Sequence, residues 1–278
     1  LGRKRAERRS GVRAHAAELA NREYKVVIKE NGEFHSEILQ KGYDVTRRSY
    51  DTLDPAGRTL FLVDTEIPLG RPGRYWPLAG NFPRDRFDAP VVERFGDALR
   101  LMTSSHGVRA TIDVRLPDRD TPAELWTLTL ENQSDQPRQL VAVPYVEWVL
   151  DRPDSDKGHT QYGRLFPEME YVRESNAVLA WQKKTKTMGY LAVQTAPRGF
   201  CTSRMDFIGR ARSLWSPRLL ETLKFLDPQD TAGYPTFDPI AGLKIDVELG
   251  ARESKTLRLI LGSAKSREAA LAVLQKHL

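Results

Sequence analysis

Apolar and polar residues alternate with a period of two through most of the chain from Tyr24 onward. This spacing is typical of strands that bury one face of a sheet. Gly and Pro, 36 residues together, stand mainly between the alternating segments, where they end strand pairing. Helical spacing is confined to the two ends of the chain: residues 12–21, and residues 266–278 with Ser266 as the expected N-cap.

Three pairs of alternating segments flank short turns and predict β-hairpins: 23–30 with 33–39, 98–105 with 108–116, and 124–132 with 138–150. Asn31-Gly32, between the first two segments, readily supplies the two positive φ angles of a type I′ turn. His106-Gly107 occupies the same place in the second pair. Further strands are predicted for segments with the same alternation, at 59–64, 178–183, 189–195, 243–249 and 255–261.

About a dozen strands with hairpin connections and no alternating helices favour antiparallel sheets packed face to face. The predicted fold class is therefore all-β, with short helices at both ends. A chain of 278 residues could hold two average domains, but sandwiches of this size commonly form one. The predicted organisation is a basic arm or helix over 1–22, a sandwich domain over 23–264, and the start of a further helix over 265–278.

Most of the net charge of +6 lies at the N-terminus, where residues 1–22 hold seven Arg or Lys and two Glu. The remaining residues are close to neutral, so the charge does not favour nucleic acid as a partner. A short basic arm of this kind could contact an anionic membrane surface. Cys201 is the single cysteine, which excludes an internal disulfide and favours a reducing compartment. The expected location is cytoplasmic, since residues 1–22 also lack the apolar core of a signal peptide.

The chain lacks the usual sequence signatures of nucleophilic and metal sites. It contains no G-x-S-x-G segment, its five histidines stand singly, and no H-x-x-x-H or paired C-x-x-C occurs. Asp151, Asp154 and Asp156 resemble part of a calcium loop, but Pro153 and Lys157 interrupt the pattern. We therefore expect no metal, no cofactor and no catalytic residue in this chain.

Glu147 is an acid inside an otherwise apolar segment, at 145–150. Neighbours in a strand face opposite ways, so if Val146 and Trp148 face the core, Tyr145 and Glu147 line the other face. The loop that follows, at 151–164, is rich in charge. It could be a catalytic centre, the rim of a ligand site or a solvated turn.

The Gly-rich segment 70–81 leads into no helix, so it does not predict a phosphate loop. Its Tyr75 and Trp76 are candidates for stacking on a sugar, as is Trp215 in a later segment.

Several segments, in this order, resemble the N-terminal β-sandwich of glycoside hydrolase family 94. They are YVEWVLD after TLTLENQSDQPR, then RMDFIGRARSLWSP at 204–217, FDPIAGLKIDVELGARESKTLRLILG at 237–262, and SREAALAVLQKH. The family contains cellobiose-type disaccharide phosphorylases and the phosphorylase-like module of cyclic β-1,2-glucan synthases. The resemblance covers most of residues 40–278.

The resemblance implies an antiparallel β-supersandwich of the galactose-mutarotase-like type. It also implies a linker helix beginning at 265–278 and a missing C-terminal (α/α)6 barrel that carries the catalytic acid. The chain alone is therefore expected to be inactive, and to shape the acceptor sugar site and the domain or homodimer interface of an enzyme that acts on β-glucan oligosaccharides. An Arg in a Tyr-x-Arg stretch contributes to that site in the family, which implies this role for Arg164 in TQYGR, with Tyr162 beside it.

The expected substrate-binding residues are those of this rim together with the aromatic segment: Arg164, Tyr162, Arg152, Asp151, Glu147 and Trp76. Two alternatives remain open. The chain could be a stand-alone carbohydrate-binding module, or a structural docking module without an enzyme partner.

Overall fold

The computed structural model describes residues 16–49, 57–80, 82–83, 85–229 and 238–278. In chain order the strands are β1 (Ala16–Ala20), β2 (Tyr24–Lys29), β3 (Phe34–Ile38), β4 (Tyr43–Thr46), β5 (Arg58–Asp64), β6 (Tyr75–Pro77), β7 (Val91–Phe95), β8 (Ala98–Ser105), β9 (Val108–Arg115), β10 (Ala123–Asn132), β11 (Arg138–Asp151), β12 (Pro167–Val172), β13 (Ala177–Gln182), β14 (Thr187–Val193), β15 (Gly199–Ser203), β16 (Pro239–Leu249) and β17 (Ser254–Ala264). The helices are α1 (Pro153–Gly158), α2 (Thr160–Gly163), α3 (Arg204–Ile208), α4 (Arg218–Thr222) and α5 (Arg267–His277).

These strands form two antiparallel sheets, so the predicted all-β architecture is confirmed. The larger sheet has the order β1-β2-β3-β4-β11-β16-β15, with β5 between β11 and β6. The smaller sheet has the order β12-β13-β14-β17-β10-β9-β8-β7. The strand β11 spans 14 residues and pairs with β4, β5 and β16, which makes it the centre of the larger sheet.

Three apolar clusters hold the layers together. The main cluster lies between the sheets and includes Trp126 and Trp148. A second lies on the outer face of the larger sheet, where α3 and α4 cover Tyr145 and its neighbours. A third lies under α5 on the outer face of the smaller sheet. Because both sheets are covered outside as well as inside, their central strands are buried on both faces.

One carboxylate is sealed between the sheets. Glu124 on β10 forms an ion pair with Arg58 on β5, and both side chains are fully buried. Glu124 also accepts hydrogen bonds from Tyr24 Oη at 3.0 Å, Ser36 Oγ at 2.5 Å and Trp126 Nε1 at 3.1 Å. We call these five residues the Glu124 network. It ties four strands across the interior of the sandwich.

The two predicted tight turns differ. His106 and Gly107 both have positive φ angles, 53° and 75°, so the β8–β9 hairpin has the predicted type I′ turn. At the β2–β3 hairpin only Gly32 has a positive φ, 84°, and its N–H bonds to the Lys29 carbonyl at 2.9 Å. The turn there is a type I turn followed by a left-handed glycine, and the type I′ prediction for Asn31-Gly32 is wrong.

Two other local predictions are wrong. The segments that form β10 and β11 do not pair with each other; β10 lies in the smaller sheet and β11 in the larger. Alternation specifies which face of a strand is buried and not which strand lies beside it. Ala16–Ala20, predicted to be helical, form β1 instead, because pairing with β2 buries Leu19 against Val26.

Residues 12–15 of the predicted N-terminal helix and most of the basic arm lie outside the described residues, and the predicted domain boundaries stay predictions. The C-terminal helix is confirmed. It runs from Arg267 to His277, and the Oγ of Ser266 accepts a hydrogen bond from the Ala269 N–H at 3.2 Å, as expected of an N-cap.

Candidate functional site

Glu147 lies at the centre of a cluster of arginines on the outer face of the larger sheet. Its side chain is 1% exposed. It accepts hydrogen bonds from Tyr145 Oη at 2.7 Å, from Arg204 Nε at 3.0 Å and from Arg47 Nη1 at 3.0 Å. Arg164 Nη2 lies 3.7 Å from the same carboxylate. Glu147 therefore holds groups from three distant parts of the chain.

Two further carboxylates complete this arrangement. Asp156 on α1 binds Arg47 at both Nη2 (2.9 Å) and Nε (3.1 Å). Asp238, just before β16, accepts a hydrogen bond from Arg164 Nη1 at 2.9 Å and lies 3.9 Å from Arg204 Nη1. We call the cluster the Glu147 network; its members are Tyr145, Glu147, Arg47, Asp156, Arg164, Arg204 and Asp238.

Local backbone structure brings these side chains together. The strand β11 alternates as predicted, with Val146 and Trp148 in the main core and Tyr145 on the opposite face. The Glu147 N–H donates to the Gly57 carbonyl at 2.7 Å, and the Glu147 carbonyl accepts from the Arg47 N–H at 3.0 Å. A Cβ at Gly57 would lie 2.4 Å from the Arg47 carbonyl oxygen, and its φ is 101°, so only glycine allows this approach.

The charges of the network set the protonation of its acids. Burial opposes ionisation of Glu147, but the positive charges of Arg204 and Arg47 outweigh it and lower the pKa of this carboxyl. Asp238 behaves differently. Burial opposes ionisation of Asp238 most strongly, and the negative charge of Glu147 opposes it further. The positive charge of Arg164 favours ionisation but only partly offsets these two effects, so the pKa of Asp238 rises to about 6.

Burial and the charge of Arg47 also lower the pKa of Arg164. The side chain of Arg164 is 6% exposed, and its Nε has no hydrogen-bond partner. Burial raises the pKa of the Tyr145 hydroxyl, and the nearby Glu147 adds to this effect. Tyr145 is therefore a hydrogen-bond donor to Glu147 rather than an acid.

Of the six predicted substrate-binding residues, the structure brings together Glu147 and Arg164. Asp151 faces elsewhere and pairs with Lys184 at 2.7 Å. Arg152 is exposed and pairs with Asp154 at 2.9 Å. Tyr162 is 59% exposed and packs edge-on against Phe166.

Trp76 was predicted to bind substrate, but the structure places it in the core. Its side chain is 3% exposed, belongs to the main core, and packs against the His106 ring with centroids 4.8 Å apart. Because protein atoms cover the indole, a sugar cannot stack on it in this structure. Tyr75 and Trp215 are half-buried against the second apolar cluster.

Sequence reasoning missed Arg47, Arg204 and Asp238 as members of the site. Arg204 and Asp238 belong to the segments RMDFIGRARSLWSP and FDPIAGL, whose resemblance to family 94 was a usable signal. Arg47 follows β4 with no distinguishing pattern. It lies 100 residues from Glu147 along the chain.

The described residues offer no metal-binding group of three or more His, Cys, Asp or Glu. Asp151, Asp154 and Asp156 each pair with a different cation. Cys201 is buried, which raises the pKa of its thiol to about 12 and makes it a poor nucleophile. What the network can supply is a set of guanidinium groups held in fixed orientation, which suits hydrogen bonding to hydroxyl oxygens.

The two packed sheets with their outer coverings define a supersandwich domain. Residues 6–278 match the family described as "Glycosyl hydrolase 94, supersandwich domain", and the chain belongs to this family. The predicted family and fold are therefore confirmed.

One characterised relative is a phosphorylase and another is a glucan synthase. The chain is 25% identical over 227 residues to cellobionic acid phosphorylase of Neurospora crassa, covering 80% of this chain and 27% of that protein. It is 25% identical over 174 residues to cyclic beta-(1,2)-glucan synthase NdvB of Rhizobium meliloti, covering 57% of this chain and 5% of that protein. The chain thus spans at most about a quarter of the length of these relatives.

Among solved structures, a bacterial glucoamylase complexed with acarbose has a similar fold. The two structures superpose with a TM-score of 0.56 at 13% sequence identity, and the alignment covers 91% of this chain and 32% of the glucoamylase chain. This likeness concerns the fold alone. No helix in the described part of the chain is long and apolar enough to cross a membrane.

Proposed function

We propose that this chain is the non-catalytic supersandwich domain of a β-glucoside phosphorylase or cyclic β-1,2-glucan synthase-type enzyme. We further propose that its Glu147 network borders the acceptor sugar site, where the domain meets a catalytic (α/α)6 barrel. The observation that supports this most is the convergence of Arg47, Arg164 and Arg204 on one buried carboxylate near the surface.

The network would act by holding Arg164 and Arg204 in place before a sugar arrives. Hydrogen bonds to Glu147 and Asp238 fix both guanidinium planes, so little side-chain entropy is lost on binding. The unpaired Nε of Arg164 is a further donor that a small movement could turn toward a sugar hydroxyl.

The chemistry itself would come from the barrel. In inverting phosphorolysis a phosphate oxygen bonds to the anomeric carbon, the glycosidic C–O bond breaks, and an acid donates its proton to the leaving oxygen. Glu147 is unsuited to be that acid, because its lowered pKa keeps it ionised at neutral pH. One relative is named for a sugar acid and another for a glucan. The names of these relatives therefore include both an acidic and a neutral saccharide.

The first experiment compares the chain alone with a longer polypeptide that joins it to its barrel. Residues 1–278 alone should release no glucose 1-phosphate from cellobiose or sophorose in the presence of inorganic phosphate. The longer polypeptide should do so with at least one β-linked disaccharide. Turnover by the isolated chain would contradict the proposal.

The second experiment tests Arg164 in the longer polypeptide. Arg164→Gln should raise KM for the acceptor sugar more than it lowers kcat, because the residue binds the acceptor and not the reacting bond. Arg109→Gln is the matched control; Arg109 forms an exposed pair with Glu131 on the smaller sheet and should leave both constants unchanged. Equal kinetics for the two variants would contradict the assignment.

A glycan-binding module without a catalytic partner is the second candidate, because Tyr162 offers an exposed ring beside Arg164. It requires that the isolated chain bind a β-glucan oligosaccharide in calorimetry and lose this binding in Tyr162→Ala.

A further inference from the structure

The Glu147 network contains as many carboxyl groups as guanidinium groups. Each arginine is already paired: Arg47 with Asp156 at 2.9 Å, Arg164 with Asp238 at 2.9 Å and Arg204 with Glu147 at 3.0 Å. When the three acids are ionised, the network as a whole is neutral. Among the described residues, the network therefore has no surplus positive charge with which to balance an added anion.

Asp238 is the member of the network most open to solvent. Its side chain is 23% exposed, whereas Arg164 is 6% exposed. A sugar approaching the network from solvent therefore meets a carboxylate first. A carboxylate accepts hydrogen bonds from hydroxyl groups but repels a second carboxylate.

We infer that Asp238 determines the charge class of the acceptor sugar, selecting a neutral sugar against the corresponding sugar acid. The inference rests on the proposed function, since it assigns a substrate class to the same site. It goes further by giving the role to one residue. Asp238 binds Arg164 and so removes the positive charge that would otherwise attract a sugar acid.

The charged groups that face Asp238 come from four parts of the described chain. They are Arg164 after α2, Arg204 at the start of α3, Glu147 on β11 and Arg47 after β4. As pH falls through about 6, Asp238 gains a proton, and the network acquires one net positive charge. Lowering the pH should therefore mimic removal of the Asp238 charge.

The test uses the longer polypeptide in the synthetic direction, with α-glucose 1-phosphate as donor and either glucose or gluconate as acceptor. Phosphate release at pH 7.5 gives kcat/KM for each acceptor. We expect glucose to be preferred by about tenfold or more, the size of one like-charge repulsion near a protein surface. Asp238→Asn should reduce this ratio about tenfold, through a gain on gluconate.

Asp135→Asn is the matched control. Asp135 lies in the loop before β11, at the far end of the strand from Glu147, and pairs with Arg252 at 2.8 Å on the surface. This variant should keep the wild-type ratio. A wild-type protein that uses gluconate as well as glucose, or an Asp238→Asn ratio equal to that of wild type, would overturn the inference.

The wild-type protein provides a second measurement that needs no variant. Its preference for glucose over gluconate should fall between pH 7.5 and pH 5.5, while gluconate stays ionised, and a constant ratio would overturn the inference. Absence of transfer to either acceptor overturns the proposed function and the inference with it. Transfer with the wrong preference overturns the inference alone.

Discussion

The Glu124 and Glu147 networks place similar groups in different surroundings. In the Glu124 network one arginine, Arg58, faces one carboxylate, and neither reaches solvent. In the Glu147 network three arginines share three carboxylates, and exposure rises from Glu147 to Asp238. The first is closed on every side by the two sheets, whereas the second lies at the edge of the α3–α4 covering.

The difference separates a structural role from a binding role. Arg58 stacks on the Phe34 ring, with its guanidinium carbon 3.9 Å from the ring centroid, so packing as well as charge holds it. A ligand could reach it only if the sheets separated. The Glu147 network needs no such opening, because Asp238 already meets solvent.

The largest effect on stability is expected from removing the buried carboxylate of Glu124. Glu124→Leu should lower the free energy of unfolding by about 3–5 kcal/mol, because it leaves the Arg58 charge buried without its partner. Urea unfolding followed by circular dichroism measures the change. The double variant Arg58→Met with Glu124→Leu should regain at least half of the loss. If the single variant is as stable as wild type, the structural role is wrong.

Glu147→Gln should have a smaller effect, about 2 kcal/mol in the same measurement. The amide oxygen can still accept a hydrogen bond from Tyr145. One net positive charge is left in the network, but Arg47 keeps its pair with Asp156, Arg164 keeps its pair with Asp238, and Arg204 still lies 3.9 Å from Asp238. Glu131→Gln, an exposed change on the smaller sheet, is the control. A loss equal to that of Glu124→Leu would remove the distinction between the two networks.

The third prediction concerns pH. The folded pKa of Asp238, about 6, lies above its unfolded value of about 3.9, so the folded state holds this proton more tightly. The stability it contributes is present below about pH 4 and is lost as pH rises through about 6. Removing the titration in Asp238→Asn should flatten the stability–pH curve between pH 4 and 7 by roughly 1–2 kcal/mol, after allowance for partial exposure.

Glu37 lies on the same face of the larger sheet, and its pKa is shifted in the opposite direction to that of Asp238. Burial opposes its ionisation, but hydrogen bonds from His35 and Lys25 outweigh this and lower its pKa to about 2. Its contribution is therefore present above about pH 4.5 and lost as pH falls through about 2. The Glu37→Gln variant should be less stable than wild type at neutral pH. If its stability changes with pH in the same way as that of Asp238→Asn, the opposite pKa shifts assigned to Glu37 and Asp238 are both contradicted.

The smallest expected effect is at Arg152. Its side chain and that of Asp154 are exposed, so solvent screens their ion pair. Arg152→Ala should leave the urea midpoint unchanged. A clear loss of stability would mean that the loop at 151–158 supports the Glu147 network more directly than the contacts of Arg152 indicate.

Local sequence predicted some features of the site but not its assembly. The alternation around Glu147 correctly placed this residue on the face opposite Trp148, because strand geometry allows only two directions for a side chain. Arg164 was identified from a family resemblance and does lie in the network. The predicted sugar-binding role of Trp76 does not fit its buried position. An aromatic residue beside glycines has the same local sequence pattern whether it is exposed or in a core.

The sequence by itself determined that this chain forms antiparallel sheets and that it resembles the family 94 sandwich, because strand periodicity and turn residues act over a few positions. Only the tertiary structure decided which strands are neighbours, as the separation of β10 from β11 shows. It also decided that Arg47, Arg164 and Arg204 meet at Glu147. Such contacts join residues up to 100 positions apart, and they follow from how whole sheets and their coverings pack rather than from any local preference.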